Sequence, residues 1–169
     1  MPHTTTAVID ETQHLDELIR EFRTAMFATM GPGGTMVSRP LSVVRDDDTH
    51  LLYFPTSNQT QTVEQIAQDP RVYVTMQSAN VYISLAGHAS VTSDRLLVDR
   101  LWSDTWKVWF PDGKDDPTLC IIAFTPRAAE YWDVSGTQGL KFIYDAAKAW
   151  IKGTRAETSS GQHAKVRPV

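Results

Sequence analysis

The sequence has only one cysteine, Cys120, among its 169 residues. A single cysteine excludes an internal disulfide and any metal site built from several thiolates. The histidines are scattered without the spacing of metal ligands, so no metal site is predicted. A chain with this cysteine content suits a reducing compartment, and we expect a cytoplasmic protein.

The chain also lacks an apolar run near the roughly 20 residues that a membrane-spanning helix needs. Its first residues, MPHTTTAVIDETQ, have no basic start followed by an apolar segment, so no secretory signal is predicted. The formal net charge is −4, whereas nucleic-acid phosphates are bound by clustered lysine and arginine. We therefore expect neither a membrane nor a nucleic acid as the partner.

What the sequence does contain is an ordinary globular composition, with 41% hydrophobic and 21% charged residues. A chain of this length is expected to form one domain with a sizeable core. We expect a flexible leader over residues 1–13, the domain over residues 14–153 and a polar tail over residues 154–169.

Hydrophobic periodicity predicts mostly strands. The turn GPGG separates two of them, and RVYVTMQ and VYISLAGHASVTS alternate as half-buried strands do. Helices are predicted over HLDELIREFRTAM, in the middle of SNQTQTVEQIAQDP and over LKFIYDAAKAWIKG. Since the strands follow one another across short turns, a small antiparallel barrel with helices outside is favoured over a parallel doubly wound sheet.

The segment LWSDTWKVWFPDGKDDP holds three of the five tryptophans. Trp102, Trp106 and Trp109 have the spacing i, i+4, i+7, which predicts one face of a helix. This helix is expected to begin near Asp94, a good N-cap, and to stop at Pro111. The indoles could pack on the barrel, on a second subunit or on a planar ligand.

An arginine interrupts an apolar row in TMVSRPLSVV. If this segment is a strand, Arg39 shares a face with Val37, Leu41 and Val43, so its charge needs water, a carboxylate or a bound anion. The alternative is that Arg39 lies near the strand end and extends outward to solvent. Pro40 cannot donate a ladder hydrogen bond, which predicts an edge or a bulge, where ligands often meet sheets.

A long uncharged polar run, Thr56–Thr62, leads from a strand into a predicted helix. Hydroxyls and backbone N–H groups at a helix start can hold a phosphate. An ordinary cap with a polar loop is the alternative. An anion site next to Arg39 would combine the helix dipole with a fork-shaped cation.

The usual catalytic patterns are weak. Cys120 lies in an apolar strand and is expected to be a core residue, and His88 is expected on the surface. The acidic turns DDDT and DGKDDP are interpreted as solvated. No nucleophile elbow and no Walker-type loop is present. If the protein is an enzyme, its reactive atoms are expected to belong to a cofactor.

Several segments occur together in an order typical of one family: VSRPLSVV, LLYFPTS, DPRVYVTMQ, YISLAGHASVTSDR, LWSDTWKVWFPDGKDDP and AAEYWD. With them, residues 14–134 closely resemble the pyridoxamine 5'-phosphate oxidase-like split-barrel flavoproteins, in particular the general stress protein 26 branch. The resemblance implies a mainly β (α+β) fold, a six-stranded antiparallel split barrel with flanking helices. It also implies a homodimer with FMN bound at the dimer interface.

The resemblance further implies the cofactor-binding residues. The segment SRPL would line the flavin ring, and the hydroxyl run with the TQTV turn would hold the phosphate end. The helix with the indoles would cover the ring or its surroundings. The complete set of implied FMN contacts is Ser38, Arg39, Pro40, Leu41, Phe54, Thr56, Ser57, Thr60, Gln61, Thr62, Val63, Trp102, Trp109 and Phe110.

Two departures from the family pattern stand out. Family members commonly carry a lysine where this chain has Thr62, and losing a charge-assisted contact costs about 1.5–3 kcal/mol. The true pyridoxamine phosphate oxidases end in an arginine-rich segment, whereas this chain ends in HAKVRPV with only Arg167 in a comparable place. Oxidation of pyridoxamine phosphate is therefore not the expected activity.

The resulting expectation is a stress-related, FMN-dependent oxidoreductase that acts on an unknown small molecule. One alternative is a non-catalytic protein that binds flavin or pyridoxal phosphate as a buffer or sensor. Another is a deazaflavin-dependent reductase, although the WFP segment favours the FMN branch. The role of Arg39 as a flavin contact fails if Arg39→Ala leaves the FMN affinity unchanged.

Overall fold

The computed structural model describes residues 13–46 and 49–134, and residues 163–166 as a strand. Three α-helices occur in this part of the chain: α1 (13–20), α2 (Gln61–Gln68) and α3 (Arg95–Leu101). Short 3-10 helices cover Pro32–Gly34, Asp104–Val108 and Gly113–Asp115. The strands are β1 (Thr24–Met30), β2 (Met36–Ser42), β3 (Val44–Arg45), β4 (Leu52–Ser57), β5 (Arg71–Gln77), β6 (Val81–Thr92), β7 (Leu119–Asp133) and β8 (His163–Val166).

The strands form one sheet in the order β2-β1-β5-β6-β7-β4-β3, and β8 pairs with β7 off this path. The expected count of six strands was wrong, because the path has seven and β8 adds another. One extra strand arises because Val43, whose N–H donates to the carbonyl of Arg23, separates β2 from β3. Another arises because β7 is long enough to pair with β4 near its start and with β8 near its end.

Two compact units divide the chain. The larger unit, residues 23–74 and 86–127, contains β1–β4, α2 and α3. Within it β2 packs against β4, although four other strands separate the two in the sheet order. This contact brings the C-terminal ends of β2 and β4 together, and both ends line the pocket described below.

The core of the larger unit is aromatic and aliphatic. Phe27 and Phe54 are fully buried and meet edge to face, with ring centroids 4.9 Å apart. A second apolar cluster supports α3 and the 3-10 segment after it, and it comprises Tyr53, Val98, Leu101, Trp106, Phe110, Leu119 and Ile121. Gly87 is required by close packing, since a Cβ there would lie 2.1 Å from the carbonyl oxygen of Thr125.

The described part of the smaller unit comprises residues 13–22, 75–85, 128–134 and the strand 163–166. In it α1 buries Leu15, Leu18 and Ile19, as its periodicity predicts. The His14 ring packs edge-on against Tyr131, and its Nε2 lies 3.2 Å from a carboxylate oxygen of Asp133. The predicted helix HLDELIREFRTAM is too long, because Thr24 already pairs with Ser42 in the sheet.

The prediction that the three indoles share one face of a helix is wrong. The helix α3 does begin after Asp94, whose carboxylate accepts from the N–H of Leu96 at 3.0 Å, but it ends at Leu101. Trp102 then has an extended backbone with ψ of 137°, and a separate 3-10 helix follows. The indoles consequently face different surroundings: Trp106 is 5% exposed and Trp109 is 66% exposed.

Residues 163–166 of the predicted polar tail form a strand that pairs with β7 antiparallel. The helix predicted over LKFIYDAAKAWIKG lies outside the described residues.

Candidate functional site

A pocket of about 450 Å³ lies in the larger unit, within the size range of small-molecule sites. Its walls come from the end of β2, the end of β4 with the loop into α2, and the segments on either side of the Gly113 turn. The lining residues are Pro40, Leu41, Ser42, Pro55, Thr56, Ser57, Gln59, Thr60, Trp106, Trp109, Phe110 and Thr118.

One end of the pocket is a hydroxyl loop, residues 56–60, at the start of α2. Thr56 is 8% exposed, and its hydroxyl forms no hydrogen bond within the described residues. Ser57 Oγ accepts from the N–H of Gln59 at 3.2 Å, which leaves its own proton available. Thr60 is the N-cap residue of α2, yet its hydroxyl donates to the carbonyl of Ser57 rather than capping the helix. The loop therefore presents hydroxyl donors beside an uncapped helix start.

The opposite wall of the pocket is aromatic. Trp106 and Phe110 are buried in the apolar cluster beneath α3, whereas the Trp109 ring is largely exposed. Trp102 packs edge-on against Trp106 with centroids 5.5 Å apart, and it does not line the pocket. Flat apolar surface next to a group of hydroxyl donors suits a ligand that has both an aromatic ring and a polar end.

A hydrogen-bonded turn at Asp116 supports the wall that carries Thr118. The Asp116 carboxylate accepts from the N–H of Thr118 at 2.9 Å and from its hydroxyl at 2.7 Å. These two donors hold the pKa of Asp116 below its usual range. The backbone N–H of Asn58 donates to the carbonyl of Thr118 at 2.8 Å, extending the β4–β7 ladder beyond Ser57.

Arg39 is not among the residues that line the pocket. Its guanidinium donates to the hydroxyl of Thr29 and, at 2.9 Å, to Oε1 of Gln65. The Thr29 hydroxyl in turn donates to the same Gln65 oxygen at 2.6 Å. Burial lowers the pKa of Arg39 from its ordinary value. The arginine that stands out in the sequence thus ties β1 and β2 to α2.

The structure brings together some of the residues that the sequence singles out. Seven of them line the pocket: Pro40, Leu41, Thr56, Ser57, Thr60, Trp109 and Phe110. The other seven lie outside the lining: Ser38, Arg39, Phe54, Gln61, Thr62, Val63 and Trp102. Among these, Phe54 is a core residue and the Thr62 side chain is buried in α2. The site residues stay predictions, because lining a pocket is not binding.

Sequence reasoning leaves out five lining residues: Ser42, Pro55, Gln59, Trp106 and Thr118. Gln59 lies inside the polar run Thr56–Thr62 and Trp106 is one of the three indoles, whereas Ser42 directly follows the segment SRPL. Thr118 has no local signal, because it reaches the pocket only through the pairing of β4 with β7.

The histidine and the cysteine that were considered as catalytic residues have no environment that would activate them. His88 is exposed, and Cys120 is buried with its pKa raised to about 11 by desolvation, so its thiol stays protonated. Across residues 13–46 and 49–134 no cluster of His, Cys, Asp and Glu has the make-up of a metal site. None of the helices in the same ranges is long and apolar enough to span a bilayer.

Comparison with known proteins gives consistent results. Residues 10–157 match the family model described as pyridoxamine 5'-phosphate oxidase like. General stress protein 26 of Bacillus subtilis (strain 168) is 34% identical over 85 residues, which is 47% of this chain. That match spans 60% of the length of the Bacillus protein.

Solved structures agree with the family match. A candidate general stress protein 26 from Jannaschia sp. CCS1 has a TM-score of 0.72 at 26% identity, covering 95% of this chain and 99% of the other. A general stress FMN/FAD binding protein from Xanthomonas citri has a TM-score of 0.64 at 24% identity, covering 74% and 89%. These similarities show a mainly β fold of the split-barrel type.

Proposed function

We propose that this chain, which belongs to the pyridoxamine 5'-phosphate oxidase like family, is a flavoprotein that binds FMN in the pocket beside α2. The observation that carries the proposal is one pocket whose lining combines the hydroxyl loop, which leads into α2, with aromatic rings. The description of the Xanthomonas citri protein as FMN/FAD binding supports the choice of ligand.

The phosphate end of FMN suits the hydroxyl loop. The hydroxyl of Thr56, a pocket-lining residue, forms no hydrogen bond within the described residues, and Ser57 retains a proton to donate. The start of α2 adds backbone N–H groups and the positive end of a helix dipole. This donor set fits a phosphate without a lysine at Thr62, whose side chain is buried away from the lining.

The ring end suits the apolar side of the pocket. Pro40 and Leu41 from β2 stand at the edge of the sheet, where a strand leaves room for a flat ligand. Trp109 and Phe110 offer aromatic surface for stacking. Arg39, on the same strand, holds β2 to α2 through its hydrogen bond to Gln65.

The proposed activity is that of a flavin-dependent oxidoreductase with an unknown small-molecule substrate. Bound FMN would supply the redox chemistry itself. The residues of this chain would bind the phosphate, orient the ring and exclude water from it.

A second candidate is a non-catalytic flavin-binding or pyridoxal-phosphate-binding protein that acts as a buffer or sensor. It is favoured by the chemistry of the pocket, because every lining side chain in the described structure is uncharged. General acid–base catalysis needs a titratable group close to the reacting atoms. Electron transfer through a flavin does not require one, so both candidates stand until turnover is measured.

We also propose that the protein is a cytoplasmic homodimer. The exposed apolar side chains of Val108 and Trp109 next to the pocket support a second copy at this position, since aromatic residues are enriched in subunit interfaces. Sedimentation or light scattering would give the oligomeric state, and a monomer would contradict the proposal.

The experiment that tests FMN binding is a visible absorption spectrum of the purified protein, repeated after adding excess FMN and desalting. A retained flavin spectrum is the expected result. A colourless protein that also fails to retain added FMN would contradict the proposal. An unchanged FMN affinity in the Arg39→Ala variant would show that Arg39 makes no direct flavin contact.

Turnover separates the two candidate functions. The loaded protein would be incubated with a reduced nicotinamide and an electron acceptor, with free FMN at the same concentration as the control. Steady oxidation above the control supports an oxidoreductase. Flavin retention without turnover across a panel of acceptors supports the binding protein.

A further inference from the structure

We propose that Asp116 is a positioning residue for the cofactor phosphate, which it acts on through Thr118 and Asn58. The inference rests on the proposed function, because it assigns the phosphate of FMN to the hydroxyl loop. It concerns a carboxylate that the sequence suggests is merely part of a solvated turn.

Hydrogen bonds on both sides hold Asp116 in place within the turn. It is 7% exposed although its neighbour Asp115 is exposed, and its carboxylate accepts both the N–H and the hydroxyl of Thr118. The guanidinium of Arg95 donates to the carbonyl of Lys114 at 2.9 Å and lies 3.4 Å from that of Asp116. The turn is thus fastened to the first residue of α3 as well as to the pocket wall.

The same turn holds the hydroxyl loop by two bonds to one residue. The backbone N–H of Asn58 donates to the carbonyl of Thr118 at 2.8 Å, and its side-chain amide donates to the carbonyl of Pro117 at 3.2 Å. Asn58 lies between Ser57 and Gln59, both of which line the pocket. A displacement of Thr118 would therefore be passed to the donors at the phosphate end.

The bond to Asp116 also decides what Thr118 can offer a ligand. Its hydroxyl proton is committed to the carboxylate, so this hydroxyl is not a donor to a ligand. Without Asp116 this hydroxyl could rotate, and the N–H of Thr118 would lose its acceptor. Both effects disturb the geometry of the donors rather than the chemistry of the ring.

The test compares two ligands in wild-type protein and in Asp116→Ala, using flavin fluorescence quenching. FMN carries the phosphate and riboflavin does not. When a donor of the hydroxyl loop is no longer aligned with the phosphate, the FMN affinity is expected to fall about tenfold or more. The riboflavin affinity is expected to change less than about twofold. Equal weakening of both ligands, or no weakening of FMN, would overturn the inference.

Two further variants separate positioning from folding. Asp116→Asn keeps an oxygen acceptor for Thr118 and is expected to restore FMN binding to within about threefold of wild type. Asp115→Ala changes the exposed neighbour and should leave both affinities unchanged. Failure of Asp116→Asn to bind better than Asp116→Ala would overturn the inference.

A double-mutant cycle tests the route through Asn58. If both residues act on one loop, Asp116→Ala and Asn58→Ala weaken FMN less together than the product of their separate effects. Independent effects would overturn the route. Wild-type protein that binds no FMN refutes the proposed function instead, so the two failures are distinguishable.

Discussion

Two polar clusters in the larger unit differ in where their hydrogen bonds end. The first, which we name the closed cluster, consists of Thr29, Arg39 and Gln65, and each of the three bonds to the other two. The second, the hydroxyl loop of residues 56–60, leaves the Thr56 hydroxyl without a hydrogen-bond partner among the described residues, at a pocket that Thr56 lines.

Structural and ligand-binding polar residues differ in whether other protein groups satisfy their hydrogen bonds. A buried polar group without a partner costs free energy, so the fold satisfies it internally wherever it can. In the closed cluster the donors form hydrogen bonds that hold β1, β2 and α2 together. The hydroxyl loop retains donors for a ligand, even though its residues look less unusual in the sequence than an arginine in an apolar row.

Breaking the closed cluster is expected to have the largest effect on stability. Gln65→Leu removes the acceptor that Thr29 and Arg39 share and leaves a half-buried guanidinium short of a partner. We expect the free energy of unfolding to fall by about 2–3 kcal/mol in urea titrations of the ligand-free protein. Gln68→Leu, on an exposed position of the same helix, should stay within about 0.5 kcal/mol. Equal stability of the two variants would contradict the structural role.

Changing the hydroxyl loop should affect ligand binding and leave stability alone. Thr56→Val removes one uncommitted hydroxyl with little change of shape, so the FMN affinity is expected to fall about tenfold. The unfolding free energy should change by less than about 0.5 kcal/mol, because no hydrogen bond within the protein is lost. The matched control is Thr24→Val, on an exposed strand position of β1. Unchanged FMN affinity in Thr56→Val would remove this residue from the site.

The smallest expected effect is a loss of stability in acid that depends on Asp116 and not on the closed cluster. Hydrogen bonds from Thr118 lower the pKa of Asp116, so the ionised carboxylate stabilises the fold above the unfolded value of about 3.9. This contribution is lost as the pH falls through the lower folded-state pKa. No carboxyl group belongs to the closed cluster, which should therefore not respond in this range.

Thermal unfolding of ligand-free wild type and Asp116→Asn from about pH 6 to pH 2 measures this effect. The stability advantage of wild type over the variant is expected to shrink towards the acid end. Asp115→Asn serves as the control for a general change of charge. Parallel curves for wild type and Asp116→Asn would show that Asp116 has no linked role in stability.

Much of the fold can be predicted from local patterns. Alternation predicts β5 and β6, the GPGG turn predicts the β1–β2 hairpin, and Asp94 predicts the start of α3. Seven of the predicted site residues line the pocket: five lie at or just after the ends of β2 and β4, and Trp109 and Phe110 follow the 3-10 helix Asp104–Val108. Such features depend on neighbours a few residues apart, whose spacing is visible in the sequence.

Other features depend on the tertiary structure alone. The spacing of the three indoles fits a helix, but Trp102 adopts an extended backbone and the apolar cluster takes Trp106 while Trp109 stays exposed. One of the two hydrogen-bond acceptors of Arg39 is Gln65, and nothing in the sequence around Gln65 distinguishes it from other polar helix residues.

Local sequence patterns suffice for β5, β6, the start of α3, the edge position of the strand with Pro40 and the polar loop into α2. Which polar groups are satisfied and which remain for a ligand follows from the tertiary structure. The physical reason is that hydrogen-bond partners such as Asn58 and Pro117 are 59 residues apart in sequence. No local pattern encodes such a pairing, which forms only when β4 and β7 align in the sheet.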